Sequence, residues 1–151
     1  MNTLSKVVVS AALALAFTSA HAAAFVDIIG PSYHTDNADH LLNNRTVGAA
    51  VGYSFSDSFS VRAGGYRNSY FKPTWFVEAD ALPVVFGPVR LGIGLGLATG
   101  YRAEFPHPVA PMGGLVAQFA MTKSSSVQLR WLPVTGGNHV EVFNLDLRLA
   151  F

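Results

Sequence analysis

Two short polar segments of this 151-residue chain contain the side chains best suited to chemistry: Ser32-Tyr33-His34-Thr35-Asp36 and Arg67-Asn68-Ser69-Tyr70. A histidine can accept a proton from a serine hydroxyl near neutral pH, and these two groups together can carry out acyl transfer. His34 and Ser69 are therefore a candidate base and hydroxyl pair. The alternative is structural, because Asn-Ser is also a common pair of turn residues.

A metal site is another interpretation of the first segment and the residues that follow it. The possible ligands are His34, Asp36, Asp39 and His40. These residues do not follow a recurring ligand spacing. The chain contains no cysteine, which excludes a disulfide scaffold, a thiolate metal site and a cysteine nucleophile. We therefore predict no metal site and no cofactor.

Composition narrows the class of protein. Of all residues, 50% are apolar and only 13% are charged, which is too apolar for an ordinary soluble surface. The longest apolar run, Val7 to Phe17, is much shorter than the roughly 20 residues of a transmembrane helix. The formal net charge is +1 and there is no basic run, so the sequence predicts no binding to nucleic acid.

The first residues have the order of a secretory signal peptide. Lys6 precedes the apolar run, and the small residues Ala20 and Ala22 form an A-x-A cleavage site. The alternative, a short buried helix, does not require that order. We predict a cleaved signal peptide over residues 1–22 and one exported domain over residues 23–151.

Alternation with a period of two dominates the rest of the chain and indicates β-strands. From Arg90 to Tyr101, large apolar residues alternate with glycine and alanine. The second face of a soluble sandwich would be polar, whereas small residues suit the inside of a membrane barrel. The pattern predicts eight strands, at 25–34, 45–55, 58–67, 73–83, 88–101, 109–121, 125–133 and 139–151.

Eight is the smallest even number of strands that closes a membrane barrel. The predicted fold is all-β: an eight-stranded antiparallel transmembrane β-barrel of the outer-membrane type. Both termini of such a barrel lie on the periplasmic side, which makes 34–44 and 67–73 outer loops. His34 and Ser69 are therefore predicted at the outer rim. The predicted inner turns are 56–57, 83–87 and 122–124.

The predicted lumen differs between its two halves. Charged residues that point inward near the periplasmic end form a plug of paired charges: Arg62, Glu78, Asp80, Arg90, Asp146 and Arg148. Small residues that point inward in the outer half form a predicted pocket for an acyl chain: Gly48, Ala50, Gly52, Gly94, Gly96 and Ala98. The alternative is that these glycines only allow a narrow barrel to close.

Three prolines indicate a break between two neighbouring strands. Pro108 and Pro111 fall at the outer end of the sixth strand, and Pro133 falls at the outer end of the seventh. A proline has no backbone N–H to donate, so we predict an interrupted ladder and a lateral gate for a lipid tail. The alternative is that the prolines merely end the strands.

Motifs spread over the predicted mature chain resemble those of one protein family. They are Ser32-Tyr33-His34, Leu42-Asn43-Asn44-Arg45, Arg67-Asn68-Ser69-Tyr70, Leu91-Gly92-Ile93-Gly94-Leu95, Phe105-Pro106-His107-Pro108-Val109, Leu132-Pro133-Val134-Thr135-Gly136 and the terminal Phe151. In this order and spacing they are similar to the outer-membrane lipid A palmitoyltransferases, the PagP family. The resemblance implies an outer-membrane enzyme that holds an acyl chain in its lumen and moves palmitate from a phospholipid to lipid A.

The resemblance also implies that His34, Asn68 and Ser69 are the catalytic residues of a monomer without a cofactor. The family has Asp-Ser where this chain has Asn68-Ser69, so a carboxylate that would orient the histidine is missing. Its Asn-Glu-Arg-Pro run is here Asn43-Asn44-Arg45-Thr46. The alternative function is a non-enzymatic small barrel that acts in adhesion, envelope stability or lipid binding.

Overall fold

The computed structural model describes residues 23–35, 42–102, 106–133 and 141–151, which form a closed antiparallel barrel. Its strands are β1 (Ala23–His34), β2 (Gly48–Ser56), β3 (Phe59–Arg67), β4 (Pro73–Phe86), β5 (Val89–Thr99), β6 (Val109–Ala120), β7 (Ser125–Leu132) and β8 (Val142–Ala150). Each strand pairs with its neighbours in the chain, and β8 closes the barrel on β1. The predicted eight-stranded barrel is confirmed, whereas the predicted signal peptide, 1–22, lies outside the described residues. No helix in the described ranges is long and apolar enough to cross a membrane.

The alternation of large and small residues separates the two faces of the barrel wall. In β5, Ile93, Leu95 and Leu97 are exposed on the outside, while Gly94 and Gly96 lie on the lumen side. Other strands expose large apolar side chains in the same way. An apolar outer surface around a polar interior is typical of a barrel in a lipid bilayer.

β4 is longer than the sequence predicted. It continues to Phe86, so the predicted inner turn at 83–87 is wrong and the turn consists of Gly87-Pro88. A shift in the register with β5 accommodates Pro83, which has no N–H to donate to the ladder. Gly87 has a left-handed backbone (φ 56°), which glycine adopts without a steric cost.

A buried network of ion pairs, here called the charged layer, fills the lumen at the end that holds the termini. Its members are Asp27, Arg62, Glu78, Asp80, Arg130, Asp146 and Arg148. No side chain of the layer is more than 6% exposed. Arg62 Nη1 lies 2.9 Å from Asp146 Oδ2, and Arg130 Nη2 lies 2.8 Å from Asp80 Oδ2. Such pairing is what makes buried charges tolerable in a low dielectric.

Five of the six residues predicted for the plug belong to the charged layer, and the sixth, Arg90, does not. Arg90 is the second residue of β5, so its side chain reaches the inner mouth of the barrel instead of the buried network. There its Nη2 lies 3.1 Å from Oδ2 of Asp57, and the arginine side chain is 28% exposed. Sequence reasoning missed Asp27 and Arg130, although both lie in predicted strands.

Candidate active site

Three polar side chains meet at the rim of the barrel opposite the termini. His34 Nε2 lies 2.7 Å from the hydroxyl oxygen of Ser69, and His34 Nδ1 lies 2.6 Å from Oδ1 of Asn44. An amide oxygen only accepts hydrogen bonds, so Nδ1 carries the proton and donates a hydrogen bond to Asn44 Oδ1. Nε2 then has a lone pair that accepts the hydroxyl hydrogen of Ser69. The arrangement resembles a Ser-His-Asp triad with an amide in place of the carboxylate.

A bulge in β1 is the reason that His34 faces the lumen. Up to Ile29, the odd-numbered residues of β1 point inward. The register with β8 then shifts by one residue between Ile29 and Ser32, and beyond the shift Ser32 and His34 are buried. In a regular strand the alternation would turn Tyr33 inward and His34 outward.

Polar side chains of β8 and of the segment before β2 hold this bulge. Asn144 Nδ2 donates to the carbonyl oxygens of Gly30 and Pro31, at 3.1 and 3.3 Å. The Thr46 hydroxyl also donates to the Gly30 carbonyl, at 3.2 Å. These bonds satisfy carbonyl groups that the interrupted ladder leaves without a regular partner.

Asn43 fastens the two rim loops to each other. Its backbone N–H donates to the carbonyl of Ser69 at 2.8 Å, and its Nδ2 donates to the carbonyl of Asn68 at 3.1 Å. Its own Oδ1 accepts from the backbone N–H of Arg45 at 2.9 Å. The segment that carries Asn44 is thereby bonded directly to the segment that carries Ser69.

Asn68 organises its own loop and does not contact His34. Its Oδ1 accepts from the backbone N–H groups of Tyr70 and Lys72, both at 2.9 Å, and its Nδ2 donates to the carbonyl of Gly100 at 3.0 Å. Asparagine commonly bonds the backbone two residues on in this way. The predicted role of Asn68 beside the histidine is therefore corrected, since Asn44 makes that contact.

A cavity of about 160 Å³ extends from this rim into the lumen. His34, Ser69 and Tyr70 lie at its mouth, and Arg62 and Arg130 of the charged layer line it from below. Its wall is mainly apolar and includes Ile29, Phe76, Ala98, Ala110, Met112 and Leu132. The cavity therefore offers an apolar space that opens beside the serine hydroxyl.

The predicted acyl-chain pocket coincides with this cavity only in part. Ala98 lines the cavity, and Ala50 packs in the same buried cluster. The other predicted residues are glycines whose missing side chains leave no empty space: Gly48 adjoins Tyr66, Gly52 adjoins the ring of Phe25, Gly94 adjoins Glu78, Asp80 and Arg130, and Gly96 adjoins the backbone of Val77 and Glu78. These four glycines admit neighbouring groups, which favours the alternative that they allow a narrow barrel to close.

The structure describes the pairing of β6 with β7 only as far as Leu115 and Trp131. β6 begins six residues earlier in the chain, at Val109, and the residues that would face its first four residues lie outside the described ranges. Pro111 lies in this outer part of β6 and Pro133 follows β7, and both line the cavity. The exposed Pro108 precedes β6. The lateral gate between these strands stays a prediction.

Comparison with known proteins supports the fold alone. No protein-family model matches the chain, and no curated protein does. Among solved structures, the chain is similar to one described as "De novo design of transmembrane beta-barrels". The match has 14% identity and a TM-score of 0.59, and it covers 85% of this chain and 95% of that one. The architecture is that of a transmembrane β-barrel.

Of the four possible metal ligands at the rim, only His34 lies in the described ranges. Within the described ranges, no group of three or more histidine, aspartate or glutamate side chains is placed to hold a metal ion. Asp36, Asp39 and His40 lie outside those ranges. His34 uses both ring nitrogens in hydrogen bonds to Asn44 and Ser69.

Proposed function

We propose that this protein is an outer-membrane acyltransferase that moves a palmitoyl-like chain from a phospholipid to lipid A. The observation that carries the proposal is the hydrogen bond between His34 and Ser69 at the mouth of an apolar cavity in the barrel. The pair supplies the chemistry to break and form an ester, and the cavity supplies a place for hydrocarbon. The similarity of the rim motifs to those of lipid A palmitoyltransferases supports the same function.

In the proposed reaction, Ser69 attacks the ester carbonyl of the donor phospholipid while His34 Nε2 takes the hydroxyl proton. The bond between the carbonyl carbon and the glycerol oxygen breaks, and His34 returns the proton to the leaving lysophospholipid. A hydroxyl of lipid A then attacks the acyl-Ser69 ester and gives its proton to His34. When the acylated lipid A leaves, Ser69 regains that proton, so no other reactant is consumed.

The size of the cavity bears on how the acyl chain is held. At about 160 Å³ it resembles an engineered cavity of roughly 150 Å³ that binds benzene. A palmitoyl chain is much larger than benzene. We therefore expect the ester end and nearby methylenes to occupy the cavity, while the rest of the chain passes through the predicted lateral gate between β6 and β7.

Exchanging the two asparagines for aspartates separates their roles. Asn44→Asp should keep or raise the transfer rate, because a carboxylate also accepts the Nδ1 proton and in addition stabilises the imidazolium. Asn68→Asp should lower the thermal stability of the barrel, because it loses the donor that bonds the Gly100 carbonyl. Transfer assays and heat-dependent gel mobility measure the two effects. If Asn68→Asp instead transfers faster than the parent, and Asn44→Asp folds but is inactive, Asn68 is the functional partner of the histidine.

Locking the predicted lateral gate between β6 and β7 tests it as the route of the acyl chain. The register of the described ladder, continued outward, places Gly113 opposite Pro133, so cysteines at these positions should form a bridge across the gate. We expect oxidation to stop transfer and a reductant to restore it. Cysteines at Ala117 and Leu129 are the matched control, because they join the same strands where the ladder is described. Full activity of the verified crosslinked gate variant would exclude this route.

The decisive experiment for the proposed function is mass spectrometry of lipid A. We expect a species heavier by one palmitoyl group in cells that contain the gene and not in cells that lack it. The same product should form when the purified barrel receives phospholipid and lipid A in detergent. A folded protein that never acylates lipid A would favour the lipid-binding barrel.

A further inference from the structure

Two arginines lie side by side on the outside of the barrel wall, next to the candidate active site. Arg45 precedes β2 and Arg67 ends β3, and both are exposed. Asn43 Nδ2 lies 3.3 Å from the carbonyl oxygen of Arg45 and 3.4 Å from that of Arg67. The adjacent residues Thr46 and Asn68 are buried. Alternation therefore directs both arginines outward.

The guanidinium of Arg67 is fixed in position without a carboxylate. Its Nε donates to the carbonyl of Phe71 at 3.2 Å, and its central carbon lies 5.4 Å from the centre of the Phe71 ring. Phe71 has a left-handed backbone (φ 59°), which is uncommon for a bulky residue. Within the described part of the chain, neither Arg67 nor Arg45 forms an ion pair. Two exposed cations whose backbone carbonyls bond the same amide can both reach one anion on this wall.

The surface below the arginines is apolar and has the character of a membrane interface. Trp75 is 71% exposed on β4, and its partner Gly65 lies two residues before Arg67 on β3. Exposed tryptophan is enriched at the level of lipid headgroups. A shallow and open apolar groove on this outer wall is lined by residues that include Val26, Ala49, Val51, Ala63, Gly65 and Trp75. The arginines thus lie at headgroup level, above a groove that fits hydrocarbon.

We propose that the outer wall of β2 and β3 binds a phosphorylated lipid, with its phosphate between Arg45 and Arg67 and one acyl chain in the groove. The identity of that lipid rests on the proposed function: it is lipid A, the acyl acceptor. Ser69 follows Arg67 by two residues, so a phosphate held here brings the sugar hydroxyls of lipid A towards the acyl-carrying serine. The site is distinct from the lumen cavity, which holds the chain that is transferred.

The test measures binding separately from transfer. In the mature barrel, Trp131→Phe leaves Trp75 as the sole tryptophan, and its fluorescence is titrated with bisphosphorylated lipid A in a zwitterionic detergent. We expect a saturable change. Removing both phosphates from lipid A, or introducing Arg45→Gln with Arg67→Gln, should raise the Kd at least about tenfold. Inorganic phosphate alone should not produce the change and should compete only weakly, because it can bind the arginines but cannot occupy the groove.

Three further variants keep the result interpretable. Arg45→Gln alone removes a charge whose side chain forms no hydrogen bond to a described residue, so it should weaken binding without disturbing the loop. Ala63→Leu fills the groove and should weaken binding with both arginines present. Arg102→Gln removes an exposed cation elsewhere on the rim and should leave the Kd unchanged.

Several outcomes would overturn the proposed site. They are an unchanged Kd in the folded double variant, an equal loss in Arg102→Gln, or full competition by inorganic phosphate. Specific binding of lipid A by a protein that never transfers an acyl group would retain the site and refute the proposed reaction. Transfer at the parent rate by the folded double variant, with lipid A binding unchanged, would refute the site and retain the reaction.

Discussion

Replacing Ser69 or His34 by alanine should lower the rate of acyl transfer to lipid A by at least about 10²-fold, the usual scale for losing a general base or its partner in catalysis. In the proposed reaction, Ser69→Ala removes the oxygen that attacks the donor ester. His34→Ala removes the base that lies 2.7 Å from that oxygen. Both side chains lie at the rim, away from the charged layer, so we expect both variants to form the barrel.

Transfer is measured by mass spectrometry with purified barrel, phospholipid and lipid A, and folding by heat-dependent mobility in gels. Ser32→Ala is the matched control. Ser32 also lines the cavity, but its hydroxyl donates to the carbonyl of Asn43 and not to His34. The control should retain most of the parent rate. If the folded His34→Ala and Ser69→Ala variants acylate lipid A as fast as the parent, the enzyme assignment at these residues is wrong.

Replacing Arg62 by methionine should lower the free energy of unfolding by about 3–5 kcal/mol, the cost of breaking a buried ion pair. Arg62 lies 3.1 Å from Asp27, 2.7 Å from Glu78 and 2.9 Å from Asp146. Methionine fills much of the same volume but leaves the four carboxylates of the charged layer with two guanidiniums. The remaining arginines already contact these carboxylates and cannot replace every lost contact.

Urea unfolding of the barrel in detergent or lipid vesicles measures this change. Arg90→Met is the matched control, because Arg90 forms a partly exposed ion pair with Asp57 at the inner mouth. Exposed pairs typically contribute about 1 kcal/mol or less. If Arg62→Met lowers the free energy of unfolding no more than Arg90→Met does, the charged layer does not stabilise the fold.

Local periodicity was sufficient to predict the barrel but not every strand end. The side-chain period of two is a property of each strand by itself, so eight strands follow from the alternation of residue types. The extension of β4 to Phe86 was missed because proline normally ends a strand. Pro83 is tolerated only because the register with β5 shifts around it. That compensation depends on the partner strand, which no local pattern describes.

The sequence predicted the parts of the candidate site that depend on residue type. It missed the parts that depend on the path of the chain. His34 and Ser69 are the base and the hydroxyl of two predicted rim loops, and the structure brings them into contact. Asn44 was missed as the histidine's partner, because its position depends on how the first loop returns to β2. Gly52 was predicted to leave space, but the ring of Phe25 on the neighbouring strand occupies it.

The charged layer also determines which half of the membrane supplies the proposed reaction. In the described part of the barrel, it fills the lumen between the cavity and the end that holds the termini. A phospholipid in the opposite leaflet has no path through the barrel to Ser69. For the proposed enzyme, the amount of donor phospholipid in the rim-side leaflet then sets the rate.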